Sequence, residues 1–127
     1  MSKKKVLLIE DEPLIIELYQ EAFESEDFAL EVAVDGQEGL KKADSLPDLI
    51  LLDILLPGIN GFEVLKELKK NGKTRDIPVI VLTNLGSEQS DSDKHLALSL
   101  GAVDYLVKSY HTPDELTEIV KKRLFTS

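Results

Sequence analysis

The sequence predicts an α/β protein built on an open five-stranded parallel sheet, with five helices covering both faces. Two observations predict it. Short runs rich in Val, Ile and Leu lack the alternation of half-exposed strands, as strands covered on both faces do. Between them lie amphipathic stretches at helical spacing, each reading as a crossover helix. Length sets a limit on the whole: 127 residues give room for one domain, 1–127 with a core of about 4–124, able to bury roughly two-thirds of its unfolded surface.

Taken in order, the first strand is Val6 to Ile9, and Pro13 suits the first turn of an amphipathic helix with Ile15, Leu18, Tyr19, Ala22 and Phe23 at helical spacing. A weaker run, Leu30 to Val34, supplies the second strand. Asp35 stands three residues before Glu38, the capping-box spacing, and opens the second helix. Leu49 to Leu52 is the third strand, and Asn60 with Glu63 repeats the cap before Val64, Leu65 and Leu68. Asn71-Gly72 is placed to end that helix in a left-handed residue. After the fourth strand, Val79 to Leu82, the segment Ser87 to Asp93 is polar and cap-like throughout. The fourth helix is therefore expected to start anywhere from Ser87 to Ser92 and to fray. Gly101 should stop it, Tyr105 to Val107 is the fifth strand, and Pro113 opens a helix facing inward through Leu116, Ile119, Val120 and Leu124.

Composition removes several function classes. With 43% hydrophobic and 31% charged residues, the chain has the balance of a soluble globular domain. No apolar run approaches the ~18 residues of a membrane span. Behind Lys3-Lys4-Lys5 only Val6 to Ile9 precede Glu10, too short for a signal peptide, so a cytoplasmic location is expected. The absence of cysteine excludes disulfides, thiolate zinc sites and cysteine nucleophiles. Fifteen basic against 24 acidic residues, a net charge of −9, oppose direct binding to nucleic acid.

Chemistry in such sheets sits at the carboxyl ends of the strands, where the strand order reverses. The first strand runs into Glu10-Asp11-Glu12, the third into Asp53, the fourth into Thr83 and the fifth into Lys108. If the strand order is 2-1-3-4-5, strands one and three are adjacent and Glu10, Asp11 and Asp53 converge, and such a cluster needs positive charge. Lys108 is one source and a divalent ion the other, with Mg²⁺ the better fit because it takes few carboxylates and completes its shell with water and phosphate oxygens. A carboxylate beside Mg²⁺, a lysine and a hydroxyl suits phosphoryl transfer, with Asp53 as the attacking group.

The motifs Ile9-Glu10-Asp11-Glu12-Pro13, Leu51-Leu52-Asp53-Ile54-Leu55-Leu56-Pro57-Gly58 with Gly61, Val81-Leu82-Thr83 and Asp104-Tyr105-Leu106-Val107-Lys108 together resemble the receiver domain of two-component response regulators, the chemotaxis-type single domain included. The resemblance covers about Lys4 to Leu124 and implies a flavodoxin-like fold. It further implies that Asp53 takes phosphate from a phosphohistidine on a sensor kinase or phosphotransfer protein. Glu10, Asp11, Asp53 and the backbone carbonyl of Leu55 would hold Mg²⁺. Lys108 would pair with the phosphoryl group and Thr83 would hydrogen-bond it, Tyr105 turning inward as Thr83 moves. The expected output surface, for a partner protein or a second copy, is the face of the fourth helix, fifth strand and fifth helix, including Asp104 and Tyr110.

Two positions depart from the family's usual pattern. Ser109 stands where proline commonly follows the lysine, which favours a trans peptide there. Asn84 replaces the usual small residue after the threonine. Leu55 and Leu85, two residues after Asp53 and Thr83, cannot orient an attacking water, which implies slow loss of phosphate.

A dehalogenase-type phosphatase would want an acid at Leu55, and an FMN binder a hydroxyl-rich loop where Glu10-Asp11-Glu12 would repel phosphate. A receiver-like binding module that is never phosphorylated stays open. Taken singly, Thr83 reads as a strand end, Lys108 as a surface lysine, Tyr105 as core packing, and His95 and His111 as surface residues.

Overall fold

The structure is a computed structural model describing residues 3–24, 27–84 and 87–125, the side chains of 87–90 excepted. Strands and helices alternate as β1 (Lys4–Ile9), α1 (Pro13–Glu24), β2 (Phe28–Ala33), α2 (Gly36–Ala43), β3 (Leu49–Asp53), α3 (Gly61–Lys70), β4 (Val79–Thr83), α4 (Ser87–Ser99), β5 (Asp104–Val107) and α5 (Pro113–Phe125). All pairings are parallel, and the sheet order is β2-β1-β3-β4-β5, as expected from the sequence.

Successive strand residues point to opposite faces. Each central strand therefore feeds two cores. Leu7, Ile9, Ile50, Leu52, Val79 and Val81 meet Val64, Leu65 and Leu68 of α3 and Ala97 of α4 on one side. On the other, Val6, Leu8, Leu49, Leu51, Ile80 and Leu82 meet Tyr19 and Phe23 of α1 and Leu116 and Val120 of α5. Phe28 closes the lower edge of this second core between Phe23 and Phe125, with ring centroids 5.4 and 5.8 Å away.

Three helix starts are chemically specified. Asp35 and Asn60 accept hydrogen bonds from the N–H groups of Glu38 and Glu63 at 2.7 and 3.1 Å. The Glu38 side chain reaches back to Val34 N–H, one residue before the usual reciprocal position. At α5 the box is complete: Thr112 Oγ1 accepts from Glu115 N–H at 3.1 Å, and Glu115 accepts from Thr112 N–H at 2.8 Å. That Thr-Pro-Asp-Glu signal was legible in the sequence behind the more obvious Pro113.

Some boundaries differ from expectation. The second strand occupies Phe28–Ala33, leaving Val34 exposed beyond its end. As expected, Gly101 ends α4 in the left-handed region, at φ +110°. By contrast, α3 ends on an extended Asn71, φ −82° and ψ 121°, and Gly72 is not left-handed. Side chains replace the left-handed cap there. Asn71 Oδ1 accepts from Lys73 N–H, and the buried Thr74 hydroxyl donates to the Leu68 carbonyl at 2.7 Å, satisfying a terminal acceptor. Helix α4 is assigned from Ser87, the early end of its expected range.

Thr112→Ala removes the α5 cap and should lower stability by about 1 kcal/mol. Urea denaturation checks this, with Ser99→Ala, at an exposed site near the end of α4, as the comparison.

Candidate functional site

The parallel register gathers the site. Ile9 of β1 lies opposite Leu52 of β3, so the next residues, Glu10 and Asp53, leave neighbouring strands side by side. Glu10 keeps the sheet's bonding for one more step, its N–H donating to the Ala33 carbonyl at 2.9 Å. Its side chain is wholly buried. A buried carboxylate is tolerable only with several donors, and Glu10 has three. Oε2 accepts from the N–H groups of Asp11 and Glu12 at 3.1 and 3.2 Å, and Oε1 accepts from Lys108 Nζ at 2.5 Å.

Asp53, the last residue of β3, is buried as well. One of its oxygens accepts from Lys108 Nζ at 3.2 Å and the other from Leu55 N–H at 3.2 Å. Lys108 starts a single 3-10 turn after β5. Because β4 separates β5 from β3, the lysine stem must span the end of β4, where Thr83 is fully buried. Asp11 is exposed at the mouth. Carboxylate oxygens of Glu10, Asp11 and Asp53 lie within 4.8 Å of one another.

The ammonium is shared unequally. Its shorter bond goes to Glu10, leaving Asp53 less compensated. Burial, with the Glu10 charge adding to it, pushes the Asp53 carboxyl up to about 7 against the pull of Lys108. For Lys108 burial opposes the charged form, but the hydrogen bond to Glu10 and the charges of Asp53 and Glu10 outweigh it and hold the ammonium above its ordinary value. Three acids against one lysine present an all-oxygen, net negative cluster, which is the donor chemistry of a hard divalent ion.

Tyr105 is already inward. Its hydroxyl is buried with no partner of hydrogen-bonding geometry among the described residues. Burial raises its pKa, the neighbouring Thr83 side chain opposing and Asp93 adding. The Lys108–Ser109 peptide is trans, as are the other described peptide bonds. Leu55 is 54% exposed at the site's rim, and Leu85 lies outside the described residues. His95 is exposed and His111 half-buried.

Sequence reasoning missed the role of two groups. Tyr19 was readable only as part of the apolar face of α1, yet the charges of Lys108, Glu10 and Asp53 all act on its phenol, whose pKa burial raises. The amides of Asp11, Glu12 and Leu55 carry no sequence signal at all, since every residue but proline has one.

Comparison with known proteins agrees with this geometry. A family model described as the response regulator receiver domain matches residues 6–121. The chain is 40% identical over 119 residues to the alkaline phosphatase synthesis transcriptional regulatory protein PhoP of Bacillus subtilis, covering 93% of this chain and 47% of that protein. It thus spans less than half the length of this relative. Among solved structures, a CheY-like response regulator receiver domain protein of Methanospirillum hungatei superposes with a TM-score of 0.85 at 29% identity, over 97% of this chain and 94% of that one. The receiver domain of the sensor histidine kinase PA1611 of Pseudomonas aeruginosa, solved with magnesium in its active-site cleft, superposes at 0.82 with 26% identity, over 99% and 100%.

The raised carboxyl has a consequence for stability. A folded-state pKa above the unfolded value means that the contribution of Asp53 is complete below the ordinary carboxylate range and is lost as pH rises through about 7. In metal-free protein, Asp53→Asn should therefore stabilise by about 1–3 kcal/mol at pH 8 and by little at pH 4. Denaturant unfolding at the two pH values measures the difference.

Proposed function

Because the chain belongs to the response regulator receiver family, we propose that Asp53 is its phosphoacceptor, taking a phosphoryl group from a phosphohistidine of a sensor kinase or phosphotransfer protein. One observation carries the reading: Asp53 sits at a strand end, buried, bonded to Lys108 and beside the carboxylates of Glu10 and Asp11. The domain is a signalling component of two-component systems rather than an enzyme acting on a diffusing substrate.

An oxygen of Asp53 attacks phosphorus as the P–N bond to the donor imidazole breaks, and the bonding pair returns to the ring nitrogen. An acyl phosphate is left on Asp53. Lys108 then follows the charge from the carboxylate to the phosphoryl oxygens, which it can do without leaving Glu10. The Thr83 hydroxyl hydrogen-bonds the same group. Asp11, Asp53 and the Leu55 carbonyl would hold Mg²⁺, with Glu10 contributing through water, and the ion would supply positive charge to the phosphoryl oxygens. Glu10 suits the indirect role because Lys108 and two amides already occupy its oxygens.

The output surface in this reading is the α4–β5–α5 face. Helix α4 buries Ala97 but leaves Leu96 and Leu98 exposed, with Val103 and Tyr110 exposed close by in sequence. Apolar surface of this kind fits an output protein or a second copy of the domain. Movement of Thr83 toward phosphate changes the environment of the buried Tyr105 hydroxyl beside it, linking the site to β5. The domain itself makes no contact with nucleic acid, which its charge of −9 opposes. Among the described residues no helix is long and apolar enough to cross a membrane, and the reading places the domain in the cytoplasm with its phosphodonor.

Incubation with a small acyl phosphate and Mg²⁺ should add one phosphoryl group by mass spectrometry, abolished in Asp53→Asn and by EDTA. No addition to the unaltered chain would instead favour a receiver-like module that binds partners without being phosphorylated.

The phosphorylated state should be long-lived, since Leu55 at the rim can exclude water but cannot orient it. Leu55→Asn is expected to speed loss of phosphate roughly tenfold, followed by mass after the donor is removed. Equal rates would show that the leucine does not set the lifetime.

A further inference from the structure

The segment between β3 and α3, residues 54–60, carries the carbonyl that the proposed Mg²⁺ site requires, and the structure holds it at two places where a neighbour lacks a side chain. At its neck, Gly61 N–H donates to the Ile54 carbonyl at 2.8 Å, while Ile54 N–H donates to Leu82 of β4 at 3.1 Å. A Cβ on Gly61 would lie 2.4 Å from the Asp53 carbonyl oxygen and 2.6 Å from Ile54 Cα. Both are backbone atoms of the strand end that presents Asp53, and neither can swing aside. At the far end of the segment, Ile59 is half-buried and packs against the α2–α3 core. Its seat is Gly36, the first residue of α2, where a Cβ would meet Ile59 Cγ1 at 2.6 Å and Val64 Cγ2 at 2.7 Å.

Neither position has a left-handed φ. Backbone freedom therefore does not explain glycine at either one. Close approach does. The segment also turns through Gly58 at φ +79° in open space, and the Asn60 side chain caps α3. Between these ends Leu56 is half-buried against the same core and the Leu55 N–H donates to Asp53, so the glycine contacts act together with the segment's own packing.

We propose that Gly61 and Gly36, the latter through Ile59, are positioning residues that preset the Leu55 carbonyl relative to Asp53 and Asp11. The proposal rests on the phosphoacceptor reading above and adds two residues, one of them on α2, that touch neither metal nor phosphate. A metal ion gains affinity from a donor set already in place, because outer positions that orient a ligand typically matter about tenfold or more.

Gly61→Ala presses on backbone and is a severe test of folding, so Gly36→Ala and Ile59→Ala are the informative variants. Gly72→Ala, where a Cβ meets nothing within 4 Å, is the control. Mg²⁺ affinity is read by calorimetric titration, and amide exchange of residues 54–60 is read in metal-free protein. Gly36→Ala and Ile59→Ala should each bind Mg²⁺ roughly tenfold more weakly, with faster exchange confined to 54–60 and a thermal midpoint still cooperative. The control should match the unaltered chain. If the unaltered chain binds Mg²⁺ and both variants bind it equally well, the positioning proposal alone is overturned. If the unaltered chain takes no Mg²⁺ while Asp53→Asn behaves identically, the site reading fails and the proposal falls with it.

Discussion

One buried ammonium, that of Lys108, serves two buried carboxylates, and the rest of the site follows from how it divides itself between them. A charge removed from water must be met by partners close enough to replace the lost solvation. Glu10 has them in full, from Lys108 and two backbone amides. Asp53 has the longer arm of the lysine and one amide, so burial wins and its carboxyl titrates near 7. The domain therefore holds, at the end of its central strand, a carboxylate short of positive charge. A divalent ion would relieve that shortage, and in the proposed reading the residue that bears the structural cost is also the one that takes the phosphoryl group.

Such an arrangement demands rigid surroundings, and the parallel sheet supplies them. Strands β1, β3 and β4 are fully buried at their carboxyl ends, so solvent screens the charges chiefly from the mouth, where Asp11 is exposed. The pieces that approach the acids most closely do so through backbone. Amides of Asp11, Glu12 and Leu55 turn inward as donors, and Gly61 lies against the Asp53 carbonyl with no room for a methyl group. In contrast, among its described side chains α4 buries Ala97 and half-buries Asp93 while presenting Leu96 and Leu98 to solvent. In the proposed reading, close packing at the acids and the exposed leucines of α4 suit a switch, because a change at the site then has an element to move.

Local chemistry made much of this legible beforehand. Apolar runs without alternation gave the buried strands, and Asp35 and Asn60 announced two helix starts because an N-cap needs only its own side chain and an amide three residues on. The positions Glu10, Asp11, Asp53, Thr83 and Lys108 stood out as charged or hydroxylic residues directly following apolar strands. Where a boundary was misjudged, a competing local bond was responsible. At the end of α3, Asn71 and the hydroxyl of Thr74 satisfy the free carbonyls, and Gly72 is not needed as a left-handed cap.

The sequence by itself thus determined the fold class, the strand ends and the residue types gathered there, since these depend on hydrophobic period and short-range hydrogen bonds. Tertiary structure alone decided which carboxylate Lys108 bonds more closely, that Tyr19 lies within the field of the site, that the Tyr105 hydroxyl is buried without a hydrogen-bond partner among the described residues, and that a side chain at Gly36 or Gly61 would press on Ile59 or on the end of β3. Each of these is a distance between residues far apart in the chain or a contact made by a missing side chain. Electrostatic and steric energies vary over fractions of an ångström, a scale that residue order does not specify and packing does.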